Sequence, residues 1–237
     1  MAEERKWGMV VDVDRCTGCQ ACVIACQAEN NIMLSTEDVF QQKRAMTWIR
    51  IERYWEGEFP DVRVKFRPVL CQQCENAPCE PVCPTYASHR TDEGLNAQVY
   101  NRCIGTRYCA NACPYSVRFF NFHSPVWDKP LHLQLNPDVS VREMGVMEKC
   151  TFCVQRINAA KIEAKAAQRP LQDGELKPAC VQSCTANALV FGDLNDPESA
   201  VSRLSRSSRG SKLLEDLGAR PSITYLERES WDESTKG

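Results

Sequence analysis

The sequence predicts an α+β protein of two small cysteine-rich modules, one nested in the other, with an inserted β-hairpin and a C-terminal helical extension. Three observations lead there. All 15 cysteines of the 237-residue chain fall into four groups: Cys16, Cys19, Cys22 and Cys26; Cys71, Cys74, Cys79 and Cys83; Cys103, Cys109 and Cys113; Cys150, Cys153, Cys180 and Cys184. The stretches between groups alternate short strand-like runs with turn residues. Beyond residue 194 the chain carries helix start and stop signals and no cysteine.

The elements follow in order. Met9, Val11 and Val13 alternate with their neighbours and read as a strand delivering Arg15 and the first cysteine group. Residues 48–55 and 62–69 carry alternating stretches on either side of Glu56-Gly57-Glu58-Phe59-Pro60-Asp61, which predicts a hairpin. After Cys83-Pro84, Thr91-Asp92-Glu93-Gly94 makes a turn and residues 97–100 a short strand into Cys103. Residues 147–169 are mostly helix formers, with Val154, Ile157 and Ile162 as the expected buried side, until Pro170 ends the run. The loop 171–177 leads on to Cys180, and residues 188–191 form a strand. Asp196-Pro197-Glu198 is a helix start, with Asp as N-cap and Pro at the first helical position. A second short helix over 212–217 stops at Gly218. Residues 229–237 are polar and expected to be frayed or laid on a partner.

The cysteine spacing decides the chemistry. Cys16-x2-Cys19-x2-Cys22-x3-Cys26 is the ferredoxin run, and Cys71-x2-Cys74-x4-Cys79-x3-Cys83-Pro84 is the same run with a longer middle. A cubane iron–sulfur cluster presents irons at alternate corners, so three cysteines on a tight loop wrap three irons and the fourth ligand arrives from elsewhere. In two-cluster ferredoxins the fourth cysteine of each run ligates the other cluster. Structural zinc instead closes one tetrahedron with paired Cys or Cys/His sets. A triplet with a displaced fourth cysteine suits zinc poorly, and His89, His123 and His132 lie outside the groups. An odd cysteine count also argues against a disulfide framework. Strand, loop, short helix, turn, strand is the bacterial-ferredoxin unit, so residues 71–145 are expected to form an inner bacterial-ferredoxin-like module. Residues 1–40 and 146–194 would form the outer, split module, with 41–70 as the hairpin insertion and 195–237 as the extension.

Composition excludes other classes. The formal charge of −2, from 29 basic and 31 acidic residues, gives no bulk attraction for nucleic acid. No apolar run approaches the ~18–20 residues of a membrane span. The chain opens with neither a charged-then-apolar signal nor a twin-arginine pair, so no export address is expected on it. It contains no CxxxCxxC, GxGxxG, GxxxxGK or GxSxG motif, hence no recognisable site for substrate chemistry of its own. Arg15, Arg102 and Lys149 directly precede three groups. They are either solvated flanks or charge compensation. Four thiolate-ligated clusters, each formally about −2, would take the protein to about −10, and nearby cations would raise their potentials.

The sequence resembles, nearly end to end, the electron-transfer subunit of the complex iron–sulfur molybdoenzyme family, the four-cluster ferredoxin of dimethyl-sulfoxide, polysulfide and tetrathionate reductases. The stretches that carry the resemblance are Asp14-Arg15-Cys16-Thr17-Gly18-Cys19-Gln20-Ala21-Cys22, Val99-Tyr100-Asn101-Arg102-Cys103-Ile104-Gly105-Thr106-Arg107-Tyr108-Cys109 and Gly145-Val146-Met147-Glu148-Lys149-Cys150-Thr151-Phe152-Cys153. Gly192-Asp193-Leu194-Asn195-Asp196-Pro197 and the ending from Arg220-Pro221 to Tyr225-Leu226 also fit. The third group is similar to that of alternative complex III and the related quinone reductase complex. Gln27 and Thr185 depart from the pattern, standing where proline often follows a group.

The resemblance implies ligand exchange between groups one and four and between two and three. One [4Fe-4S] cluster would take Cys16, Cys19, Cys22 and Cys184, a second Cys26, Cys150, Cys153 and Cys180, and a third Cys71, Cys74, Cys79 and Cys113. The last would take Cys83, Cys103 and Cys109. Thr106 stands where that group's second cysteine belongs, and a protonated alcohol is a poor iron ligand beside a thiolate. The expected cofactors are therefore three [4Fe-4S] clusters and one [3Fe-4S] cluster. The implied partners are a molybdopterin-type catalytic subunit and a polytopic quinone-binding membrane subunit. The chain would sit peripherally on the cytoplasmic membrane, with the periplasmic face favoured over the cytoplasmic one. Two readings from other classes stand beside this: a soluble polyferredoxin carrier, and an enzyme whose incompletely ligated cluster binds substrate directly.

Overall fold

The computed structural model describes residues 5–227. β1 (Trp7–Asp12) buries five residues in succession, because both of its faces are covered. It runs into the first cysteine loop and α1 (Ala21–Glu29). Thr36 accepts the Val39 N–H and starts the short α2 (Glu37–Gln41). β2 (Ile49–Glu56) and β3 (Arg63–Leu70) form the expected hairpin, paired antiparallel from Ile49 opposite Leu70 to Glu56 opposite Arg63. A small hairpin of β4 (Ser88–Arg90) and β5 (Asn96–Gln98) follows. Then come α3 (Tyr108–Asn111), β6 (Phe119–Phe120) and β7 (Met147–Glu148), the two strands paired antiparallel. α4 (Val154–Ala166), α5 (Ala179–Gln182) and β8 (Leu189–Asp193) carry the fourth cysteine group into the main sheet. The chain closes with α6 (Ala200–Ser205), β9 (Gly210–Ser211) and β10 (Ile223–Leu226).

The main sheet has the order β8-β1-β10-β9, with β1 antiparallel to β8 and parallel to β10. Met9, Val11, Ile223 and Tyr225 join the large core that also holds most of the cysteines. Val10 and Leu226 face the other way and pack on Val201 of α6. Trp7 stacks on Phe191, and Phe152 meets Phe191 edge-on, tying β1 and β8 to the fourth cysteine group. The buried Tyr225 hydroxyl donates to the Pro68 carbonyl at 3.0 Å and accepts from Gln72 Nε2 at 3.1 Å, which docks the β2–β3 hairpin on the sheet. Lys65 and Arg67 reinforce that contact by gripping Glu227 at 2.7 and 2.8 Å.

Several expectations need correction. The C-terminal extension is not chiefly helical: it supplies β9 and β10, half of the main sheet, because the apolar run Ile223–Leu226 is buried throughout. Asp196 does not cap a helix. It accepts the Glu198 N–H in a turn, and Ser199 caps α6 instead. The strand before Cys103 ends at Gln98, and Tyr100–Arg102 tightens into a 3-10 turn. The long helix starts at Val154, not 147, since Met147–Glu148 pairs as a strand. Its buried stripe is Ile157 and Ala164; Val154 and Ile162 lie off that face and are exposed. The helix over 212–217 is a 3-10 turn over Glu215–Leu217, closed at Gly218 as expected. Residues 229–237 lie outside the described residues.

Candidate functional site: converging thiols

Two pairs of cysteine loops repeat each other's backbone. In group one Gly18 (φ +70°) and Gln20 (φ +61°) are left-handed and lead into α1; in group three Gly105 (φ +72°) and Arg107 (φ +62°) do the same before α3. Only glycine fits the first of these positions. A Cβ at Gly18 would fall 2.5 Å from the Phe66 ring, and one at Gly105 would fall 2.4 Å from the Gly145 carbonyl oxygen. Groups two and four share a different loop, with left-handed Gln73 before Cys74 and left-handed Phe152 before Cys153. Their last cysteines match as well: Cys83 accepts the Ala87 N–H and Cys184 the Ala188 N–H, both at 3.2 Å. In this frame Thr106 occupies the position of Cys19, and both residues are exposed.

All 15 cysteines are free thiols. Cys16, Cys19, Cys22 and Cys184 line one cavity, walled by Ile51 and Pro68 of the hairpin. Cys71, Cys74, Cys79 and Cys113 line a second, beside Asn96, Tyr115 and Arg118. Asn30 Nδ2 reaches Cys26 Sγ at 3.6 Å and Cys153 Sγ at 3.8 Å, and the field of Cys150, Cys153 and Cys180 acts on Cys26. Cys109 feels Cys103, whose sulfur accepts the Met147 N–H at 3.3 Å. Burial, followed by the repulsion of neighbouring thiolates, pushes the Cys22 thiol up to about 12. Cys26 and Cys180 are raised for the same reasons. Such crowded thiols lose their protons only when a cation replaces them, and ferric and ferrous iron supply that charge. Among the described residues no three His, Cys, Asp or Glu side chains gather as a single metal ion requires. The cavities suit a multi-atom iron–sulfur core, and the residues fit that group.

The remaining sequence candidates separate cleanly. Arg15 is solvated and pairs with Asp12 at 3.6 Å, and Arg102 is exposed, whereas Lys149 is fully buried with its ammonium on the Cys150 carbonyl at 2.9 Å. His89 stacks on Tyr86, and His132 is exposed. Sequence reasoning missed the contacts of Asn30, Arg118 and Thr185 with the thiols. Thr185 lies beside Cys19 and Arg118 beside Cys109, each favouring the thiolate form. Cysteine spacing carries no signal for any of them.

Thiol sets of this kind on paired glycine-hinged loops define a dicluster ferredoxin. Two models of 4Fe-4S dicluster domains match the sequence, over residues 15–87 and 62–131. The chain is 44% identical to the iron–sulfur cluster-binding subunit of menaquinone reductase from Nitratidesulfovibrio vulgaris, over 95% of this chain and 90% of that protein. It is 38% identical to iron–sulfur subunit 1 of the Hdr-like menaquinol oxidoreductase of Archaeoglobus fulgidus, over 94% of this chain and 84% of that one. Against the B subunit of polysulfide reductase from Wolinella succinogenes the identity is 33%, over 92% of this chain and 93% of that protein. The chain belongs to the family of iron–sulfur electron-transfer subunits of quinone and molybdoenzyme reductase complexes.

Proposed function

We propose that this subunit holds three [4Fe-4S] clusters and one [3Fe-4S] cluster and relays single electrons between a molybdopterin-type catalytic subunit and a polytopic quinone-binding membrane subunit. The observation that carries this reading is the repeated loop pair, in which every cysteine of group one but Cys19 has a cysteine counterpart in group three, and Thr106 stands at the Cys19 position. The ligand sets are Cys16, Cys19, Cys22 and Cys184; Cys26, Cys150, Cys153 and Cys180; Cys71, Cys74, Cys79 and Cys113; and, for the three-iron cluster, Cys83, Cys103 and Cys109. The convergence of cysteines distant in sequence supports the first three. The matched N–H contacts at Cys83 and Cys184 support the role of Cys83 as the ligand lent by group two to group three.

When bound, the clusters each accept and release one electron. The protein's own residues set the conditions. Backbone N–H groups of Ala87, Ala188, Met147 and Phe152 point at cysteine sulfurs and stabilise their negative charge. The hairpin contributes Ile51 and Pro68 to the wall of the first cavity. In this reading residues 71–145 are the inner module, and 1–40 with 146–194 the outer one, joined by the hairpin 41–70 and completed by 195–237. No helix among the described residues is long and apolar enough to cross a membrane. In this reading the subunit lies peripherally on the cytoplasmic membrane, held by its partners, with the periplasmic face favoured over the cytoplasmic one.

Purification from native membranes through a tag on this chain tests the reading. The expected result is co-elution with a catalytic and an integral membrane subunit, about 15 irons per chain, and a three-iron resonance at about one spin per chain in the oxidised protein. A free 26.8 kDa protein would point instead to a soluble polyferredoxin carrier. About 16 irons without the three-iron resonance would sink the cluster assignment.

A further inference from the structure

Arg118 carries a positive charge into the protein interior, where it is 6% exposed. Its guanidinium donates to Ser88 Oγ at 2.5 Å and Asn96 Oδ1 at 2.7 Å through Nη2, and to Gln98 Oε1 at 3.0 Å through Nη1. All three acceptors are neutral, and among the described residues no carboxylate pairs with it. A buried charge without a counter-charge is strongly unfavourable, and arginine cannot escape by losing its proton. The counter-charge must come from something else nearby.

The surroundings name it. Arg118 lines the cavity of Cys71, Cys74, Cys79 and Cys113, and on its other side it lines the cleft that contains Thr106, Arg107 and Phe120. Two of its acceptors lean on a cysteine sulfur of the first set: Cys79 Sγ lies 3.7 Å from Asn96 Oδ1 and 3.8 Å from Ser88 Oγ. Cys109 of the second set lies on its other flank, near enough for its thiolate to act on the guanidinium.

We infer that Arg118 is a positioning residue for electron transfer: a fixed positive charge between the two inner thiol sets that raises the reduction potentials of both clusters they hold. This rests on the cluster assignment proposed above. Adding an electron makes an anionic cluster more negative, so a nearby fixed cation favours the reduced form. The fork of side-chain acceptors fixes the guanidinium in one place, so its charge acts on both sets at once. Lys149, fully buried beneath Cys150, is a separate cation beside the outer module's second set.

The test is a potentiometric titration of the whole complex, read by low-temperature electron paramagnetic resonance, with Arg118→Gln and Arg118→Lys. In R118Q the three-iron centre and one four-iron centre are expected to become harder to reduce. At the wild-type midpoint, their reduced-to-oxidised ratio should fall at least tenfold, a midpoint shift of about 59 mV for a one-electron centre. R118K, which keeps the charge, should restore most of the difference, and the other two centres should stay unmoved in both. A fully iron-loaded R118Q with all four midpoints unchanged overturns the inference. If R118Q loses iron from the inner sets, Gln98→Glu replaces it as the deciding variant, since it sets a carboxylate against Nη1. The same two midpoints must then fall, and unchanged values overturn the inference equally. Absence of a three-iron resonance in the wild type would be a different failure, that of the cluster assignment itself.

Discussion

Replacing Thr106 by cysteine is expected to turn the proposed three-iron centre into a four-iron one while leaving the fold intact. The loop already holds the shape that a ligating cysteine needs: Gly105 and Arg107 have φ of +72° and +62°, against +70° and +61° for Gly18 and Gln20 around Cys19. Thr106 is exposed, as Cys19 is, so the substitution buries nothing new and creates no cavity. Surface changes of this kind move stability by no more than about 0.5 kcal/mol. The chemical change is large by comparison. Iron content should rise from about 15 to about 16 per chain, and the three-iron resonance should fall from about one spin per chain towards zero. The midpoint of that centre should drop by on the order of 0.1 V or more, inside the roughly 1 V window over which cluster type tunes potential. Iron analysis, spin quantitation and a redox titration of the purified complex measure all three. A folded T106C protein that keeps about 15 irons and an undiminished signal would show that residue 106 is not at a ligand position, and the loop-repeat reasoning would fail.

Three further outcomes are expected. Gly105→Ala would force a Cβ to 2.4 Å from the Gly145 carbonyl in a left-handed backbone, a strain of about 1–2 kcal/mol before the clash is counted; the three-iron resonance should weaken while the other centres persist. Removing iron with a chelator under reducing conditions should abolish the cooperative unfolding transition rather than lower its midpoint, because the crowded thiols cannot hold the loops together alone; a sharp apo transition near the holo midpoint would contradict this. Burial pushes the Glu227 carboxyl up, but Lys65 and Arg67 overcome that and hold it below the usual carboxylate range. Its stabilisation of the hairpin contact is therefore present above that range and lost as pH falls through the depressed value. Glu227→Gln should cost about 1 kcal/mol or less at neutral pH and nothing in strong acid, measured as the difference in unfolding between variant and wild type.

What could be read from the amino-acid sequence alone was whatever is decided within a loop or a single strand pair. Most cysteines of a group stand a few positions apart, so the four groups and the threonine at position 106 were legible directly, while the meeting of distant groups was not. The β2–β3 hairpin was legible for the same reason, since its strands flank one turn. Tertiary structure decided the properties that depend on distant neighbours. Ile223–Leu226 became a strand beside β1 because both are buried there, more than two hundred residues apart in sequence. Arg15, Arg102 and Lys149 occupy identical positions before a cysteine, yet only Lys149 is buried, its ammonium turned onto the Cys150 carbonyl. Nothing in the residues beside Arg118 in sequence marks it. Its place comes from being buried beside cysteine sulfurs with no carboxylate paired to it among the described residues, and burial of a charge is fixed by the whole chain's packing rather than by the residues next to it.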